Sequence, residues 1–327
     1  MKPLDRLARG LRGKKAVLVL PEGAEDRVLR AARILRDRGL ARIVLLGSPQ
    51  HIEAAAGNAR VSLEDMTVLD PAGSEHLDAF AEQCLEQRPK TALKLARRIV
   101  SRPLFFGGSM VRAGQADAML AGVSSTTARV IEASLMTIGL AEGIRAPSSS
   151  FLMLLGEREQ ALIYADCALN VDPDRETLAD IAIASAETAK ALLDEEPRVA
   201  FLSFSTKGSG EHALARKMRE AAELAAERAP DICIEGELQA DAALVDRVAN
   251  LKLRDAGPVA GRANVLIFPD LNAGNIAYKL TQHLAGARAL GPLLQGFARP
   301  VSDLSRGASV EDIVATAIVT MASAVID

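Results

Sequence analysis

Apolar strand runs alternate with helical patterns along most of the chain, and this alternation is the strongest constraint on what it can fold into. Lys15-Ala-Val-Leu-Val-Leu20 has the composition of a buried strand, and Pro21-Glu-Gly then turns the chain. Residues 25–38 carry a helical pattern that Gly39 stops, and a second strand spans 42–46. This is a βαβ unit. Further apolar runs at 66–69, 117–120, 151–155, 199–204, 232–234, 265–268 and 289–294 are separated by helical patterns. Strands that are apolar on successive residues predict a parallel α/β sheet covered on both faces. Ligands of such sheets sit beyond the carboxyl ends of the strands. At 327 residues the chain has room for roughly two domains of about 150 residues each.

Composition removes several classes of function. Aromatic residues make up 3% of the chain, with no Trp, and the net charge is −3. That leaves neither a base-stacking platform nor a surface that could track phosphates, so nucleic acid is not an expected partner. Cys84, Cys167 and Cys233 are scattered without a CxxC pair, which fits a reducing, cytoplasmic setting better than a disulfide framework or a zinc knuckle. His51, His76, His212 and His283 show no ligand spacing, and no metal is expected. The basic N-terminus places Leu4, Leu7 and Leu11 on one face, as an ordinary amphipathic helix does. The longest apolar stretch, near the C-terminus, is short and broken by Thr, so no membrane span is expected. Neither GxGxxG nor GxSxG is present.

Polar strand exits are therefore the places to look for chemistry. The strand at 117–120 runs into Ala-Gly-Val-Ser-Ser-Thr-Thr at 121–127, a cluster of hydroxyls ahead of a helix. The strand at 199–204 runs into Ser-Thr-Lys-Gly-Ser-Gly at 205–210, a glycine-rich turn able to cradle phosphate on backbone N–H groups. A third exit, 269–275, leads into a helix carrying Lys279. The fourth stretch, Gly296 to Val314, is a polar turn in which Pro300 forbids a continuing helix, and a long apolar helix starts at Val310. Ser309 and Asp312, at the N-cap and N3 positions, fit two roles. They can close a capping box, with Arg306 pairing to Asp303, or they can belong to an anion site formed with Ser305, Arg306 and the helix dipole.

The motifs that match a known family are Pro21-Glu-Gly, Ala116-Asp-Ala-Met, Ser203-Phe-Ser-Thr-Lys-Gly-Ser, Glu235-Gly-Glu-Leu-Gln, Pro258-Val-Ala-Gly-Arg-Ala-Asn-Val, Pro269-Asp-Leu-Asn-Ala-Gly-Asn-Ile-Ala-Tyr-Lys and Leu304-Ser-Arg-Gly. With these the chain resembles the phosphate acetyltransferase (phosphotransacetylase) family over nearly its whole length. Ser124-Ser-Thr and Ile138-Gly-Leu look closest to the ethanolamine-utilisation branch. The resemblance implies reversible acetyl transfer between acetyl phosphate and coenzyme A, with coenzyme A as co-substrate, no bound cofactor and no metal. It implies two α/β/α domains with a cleft between them, similar to isocitrate and isopropylmalate dehydrogenases, and a homodimer. The first domain would comprise residues 1–141 and 293–327, and the second 142–292. By position, Asp312 matches the base that takes the thiol proton, and Ser305 and Arg306 match the pair holding the acyl phosphate. Arg88 matches a coenzyme A contact. Ser124, Ser125, Thr126, Thr127, Thr206 and Lys279 lie in segments that surround the phosphate in the family.

Elementary chemistry limits these roles. An ordinary aspartate near 3.9 and a thiol near 8.5 make the proton transfer uphill by roughly 6 kcal/mol, so a positive environment must stabilise the thiolate. The chain also departs from the family. Glu132 stands where an Arg is common, Ser125 where many members have His, Phe204 where Tyr is common, and Ala308 where Cys is frequent. Only Glu132 reverses a charge. Two other readings share the motifs: an acyltransferase for propionyl or butyryl phosphate, and a catalytically weak homologue kept for binding or regulation.

Overall fold

Short apolar runs capped by Pro, Gly, Asp or Ser build the elements, and the computed structural model describes residues 3–87, 92–156 and 160–325. In chain order the elements are α1 (Pro3–Leu11), β1 (Val17–Leu20), α2 (Asp26–Asp37), β2 (Arg42–Leu46), α3 (Pro49–Ala59), β3 (Thr67–Leu69), α4 (Leu77–Gln87), α5 (Leu93–Val100), α6 (Pro103–Arg112), β4 (Ala118–Ala121), α7 (Thr127–Thr137), β5 (Ser148–Leu155), β6 (Gln160–Ala165), α8 (Arg175–Leu192), β7 (Arg198–Leu202), α9 (Ala213–Arg228), β8 (Cys233–Leu238), α10 (Ala240–Leu244), α11 (Asp246–Lys252), β9 (Val265–Ile267), α12 (Leu271–Leu284), β10 (Arg288–Gln295), β11 (Val301–Asp303) and α13 (Val310–Val325). They fall into two units, Met1–Glu142 with Phe297–Asp327, and Gly143–Gly296.

In the first unit the strands run β3-β2-β1-β4-β11, every neighbouring pair parallel. β1, β2 and β3 step outward in one direction through α2 and α3, and β4 then returns to the other side of β1. The order therefore reverses between β1 and β4, which is the switch point where open α/β sheets bind ligands. α13 packs against α1, α2 and β4, with Ile313, Ala317, Ile318 and Met321 buried. Its apolar face is the core of that side of the sheet.

The sequence predicts parallel strands throughout, and the second unit corrects this. Its order is β10-β5-β6-β9-β7-β8, with β10/β5 and β5/β6 antiparallel and the remaining pairs parallel. Only the four residues 156–159 separate β5 from β6. That is too short for a crossover helix, so the chain returns as a hairpin. The run Gln160–Ala165 was not expected as a strand, nor was β11. Pro300 indeed donates no ladder bond, but its carbonyl accepts one from the Met119 amide at 3.2 Å, and the strand starts one residue later. The core of this unit gathers Met153, Leu162, Leu202, Leu238 and Leu266 around Phe151, which stacks on Tyr278 of α12 at 4.2 Å between ring centroids.

α12 comes close to the end of β6 at Gly274, where an added methyl would overlap the carbonyl oxygen of Asp166. Helix propensity favours Ala over Gly by about 1 kcal/mol, but backbone cannot yield as a side-chain tip can. Gly274→Ala is therefore expected to lower stability, by about 1–3 kcal/mol in urea unfolding; a more stable variant would show that the helix is free to shift.

Candidate active site

The turn after β1 puts Glu22 at the switch point, and its carboxylate takes the loop that follows β4. Oε2 accepts from the amides of Gly122 at 3.0 Å and Val123 at 2.8 Å. Oε1 accepts from the Ser124 amide and hydroxyl, both at 3.0 Å, and from the Ser125 amide at 2.7 Å. These are the N–H groups that a phosphate at this strand exit would need. The chain supplies its own anion to them, and what the loop still presents is the hydroxyls of Ser125 and Thr126 and the first turn of α7. Thr126 caps that helix without a side-chain bond.

Asp303 ends β11, beside β4, and is 1% exposed. Oδ2 accepts the hydroxyl of Thr127, the first residue of α7, while Oδ1 has no hydrogen-bond partner. Any side chain at Gly122 would overlap Oδ1, so the contact needs glycine there. Burial pushes the Asp303 carboxyl from 3.8 up to about 6; the Thr127 hydroxyl and the Leu304 amide pull against that, and the charge of Glu22 adds to it. The folded state thus holds this proton more tightly than the unfolded chain does. Its contribution is fully present below 3.8 and is lost as pH rises through about 6.

The loop beyond β11 is pinned from α2. Arg27 donates from one guanidinium nitrogen to the carbonyls of Arg306 and Ala308, both at 2.9 Å, and pairs with Glu25. The Ser305 hydroxyl accepts from the Gly307 amide at 3.2 Å. Ser305 and Arg306 are exposed, and no ion pair of Arg306 is found among the described residues. The alternative in which Arg306 pairs with Asp303 on the surface is not realised, because Asp303 is buried under Thr127. The capping box is realised. Ser309 Oγ accepts from the Asp312 amide at 3.1 Å and donates to Asp312 Oδ2 at 2.8 Å, and the Ser309 amide reaches the same oxygen at 3.1 Å. Glu132 pairs with Arg129 at 2.9 Å across one helical turn, so the neighbouring arginine is engaged by the glutamate.

Ser124 to Thr127, Ser305, Arg306 and Asp312 thus gather at the carboxyl ends of the adjacent strands β4 and β11. Thr206 and Lys279 lie in the second unit. The Thr206 hydroxyl donates to Gln239 Oε1 at 3.2 Å and accepts the Gln239 amide at 3.0 Å. Lys279 is exposed, its ammonium 5.0 Å from the Tyr278 ring centroid. The glycine-rich turn 205–210 is closed from below by Glu237, fully buried, whose Oε1 accepts from Ser205 Oγ and the Gly208 amide, both at 2.8 Å. Burial pushes the Glu237 carboxyl up, but the Gly208 amide, the Ser205 hydroxyl and Arg219 more than offset it, and it lies below the usual carboxylate range. Arg88 lies outside the described residues. Glu22 and Arg27 had no assigned role from the sequence, and Asp303 only that of a surface partner for Arg306; the signal for Glu22 was its place directly after the first strand. No group of three or more His, Cys, Asp or Glu placed to hold a metal occurs among the described residues.

A family model described as Phosphate acetyl/butaryl transferase matches residues 3–321. The chain belongs to that family. A phosphate acetyltransferase of Thermoanaerobacterium thermosaccharolyticum is 46% identical over 320 residues, covering 96% of this chain and 97% of the relative. The solved EutD phosphotransacetylase from Staphylococcus aureus superposes with a TM-score of 0.92 at 37% identity, covering 99% of this chain and 98% of that one. A 4-hydroxythreonine-4-phosphate dehydrogenase from Klebsiella pneumoniae, at 12% identity and a TM-score of 0.56, covers 95% of this chain and 99% of that one and shares the fold alone. This phosphate acyltransferase family therefore has the dehydrogenase-like α/β architecture, and no described helix is long and apolar enough to cross a membrane.

The raised pKa of Asp303 sets a pH test of stability. Moving from 3.8 to about 6 corresponds to about 3 kcal/mol. Asp303→Asn keeps the shape without the charge, so the unfolding free energy of the wild type, measured against that of the variant, is expected to fall by up to that amount between pH 4 and pH 7. Parallel curves for the two proteins would show that the carboxyl is not desolvated.

Proposed function

We propose that this protein is a phosphate acetyltransferase that moves an acetyl group reversibly between acetyl phosphate and coenzyme A by direct thiolate attack in a ternary complex. The observation that carries this reading is the exposed Ser305–Arg306 pair, clamped by Arg27 at the end of β11 next to the hydroxyl-bearing start of α7. A guanidinium without an ion pair among the described residues, beside hydroxyls and a helix N-terminus, suits a phosphoryl group and the charge that develops on it. Relatives named for phosphate acetyl transfer, matched over nearly their whole length, support acetyl as the acyl group.

In the reaction the thiol proton passes to Asp312, sulfur bonds to the carbonyl carbon, and the carbon–oxygen bond to phosphate breaks. Ser305 and Arg306 hold the carbonyl and phosphoryl oxygens. The same cation and the N-terminal end of α13 lower the cost of forming the thiolate. Ser124, Ser125, Thr126 and Thr127 are proposed phosphate contacts from the first unit; Arg88, Thr206 and Lys279 are proposed on the family resemblance. The exposed row Ile276, Leu280 and Leu284, spaced four residues apart on α12, is an apolar stripe that a second copy of the chain in a homodimer would cover. A cytoplasmic setting accords with Cys84, Cys167 and Cys233, which form no disulfide among the described residues.

Thioester formation assayed with acetyl, propionyl and butyryl phosphates tests the reading directly, with acetyl phosphate expected to give the highest kcat/KM. No thioester from any of them would end it. Asp312→Asn is expected to lose turnover by about 10²–10⁴-fold with coenzyme A affinity nearly intact; full activity would remove Asp312 as the base. Glu132→Arg frees Arg129 and restores the family's cation, so the KM for coenzyme A should fall. An unchanged KM would mean that position 132 does not face the substrate.

A further inference from the structure

Resting on the acyl-phosphate reading above, we propose that Asp303 and Thr127 form a proton-inverting pair, which couples binding of the phosphoryl group at the start of α7 to uptake of a proton by Asp303. A threonine hydroxyl has a single proton to donate. With Asp303 ionised, that proton is committed to Oδ2, and Thr127 offers an approaching anion only lone pairs. With Asp303 protonated, the acid becomes the donor to Thr127 Oγ1, and the threonine proton is released to point outward at a phosphoryl oxygen. The proton comes from solvent and returns to it when the anion leaves; no other bond changes.

Two features of the site favour this exchange. Oδ1 is buried without a partner, and such an oxygen costs far less on a neutral acid than on a carboxylate. The amides that would otherwise receive an anion are held by Glu22 as far as Ser125, so the side-chain donors at the head of α7 matter more than they would in an open loop. Of the elements packed against Asp303, β4 carries no charged side chain, α7 carries Arg129 and Glu132, and α13 carries Glu311 and Asp312. Arg306 follows on its own loop, and Glu22 stands after β1. The neighbour whose charge acts on Asp303 is Glu22, a like charge that favours the acid form, and burial brings its titration up to about 6, within reach of working pH.

Sulfate is the probe, because its own charge does not change near neutrality. Its inhibition constant against acetyl phosphate, measured from pH 6.5 to 8.5, is expected to rise in the wild type by up to about tenfold per pH unit as the competent acid form is depleted. Asp303→Asn presents an amide donor to Thr127 at every pH, so its constant should be nearly flat and, at pH 8, lower than that of the wild type by about tenfold or more. A disrupted site would instead bind sulfate less tightly. Thr127→Val removes the outward donor and should bind weakly with no pH slope, while the KM for coenzyme A moves by less than about twofold in either variant. A wild-type slope retained in either variant, or an Asn variant that binds sulfate no tighter at pH 8, overturns the pair. If the Asn variant does not fold, the slope of the Val variant decides. An active wild-type enzyme with a flat sulfate profile sinks this inference alone, whereas absence of acyl transfer sinks the functional reading beneath it.

Discussion

The first unit depends on one carboxylate. Glu22 stands where β1 and β4 part company in the winding of the sheet, and it collects the four consecutive amides 122–125 together with one hydroxyl. Charge-assisted bonds of this kind are worth roughly twice neutral ones, and a loop with four amides facing one way has no other way to satisfy them short of a bound anion or water. The loop is thereby fixed before any substrate arrives. α7 starts at a set place, Thr127 meets Asp303, and the segment carrying Ser305 and Arg306 lies beside them with Arg27 as its second anchor.

The same device recurs in the second unit. Asp166 follows β6 and accepts the amides of Ala168, Leu169 and Asn170, and Glu237 closes the turn at 205–210. Nest-like turns of this kind bind anions because successive N–H groups converge. A protein acting on acyl phosphates has an evident use for such turns, yet here Glu22 and Asp166 fill two of them, and the turn at 205–210 gives Glu237 one amide and one hydroxyl. Rigid loop geometry is thus obtained from the chain's own carboxylates, and what the strand exits of the first unit still present are hydroxyls, a guanidinium and helix ends.

Much of this architecture could be read in the residues. Eight apolar runs from 15–20 to 265–268, and one more at 289–294, coincide with strands, because a strand buried on both faces has a composition that little else shares. The hairpin partner Gln160–Ala165 and the three-residue β11 escaped for different reasons. The first is a strand with no helix before it, which breaks the alternation that identified the others. The second is too short to have a period, and Pro300 ahead of it argues for a turn. In the site, Ser305, Arg306 and the cap at Ser309 and Asp312 were legible because caps and glycine-flanked cations have local signatures. Glu22 and Asp303 were not, because their roles come from partners about 100 and 176 residues away along the chain. A carboxylate in a polar turn looks the same whether it faces water or a ring of amides.

The first unit is discontinuous: the chain leaves it after Glu142 and re-enters at Phe297. Since β11 docks on β4 across the whole intervening unit, the loop that must close is long, and closure is slow relative to local pairing. During vectorial synthesis the residues 143–296 emerge complete while the earlier half still lacks its last strand and α13. A nascent chain therefore holds its hydroxyl cluster and Glu22 early and gains the arginine and aspartate of the β11 segment last. A ribosome stalled before α13 emerges would leave an apolar sheet face of the first unit open to chaperones.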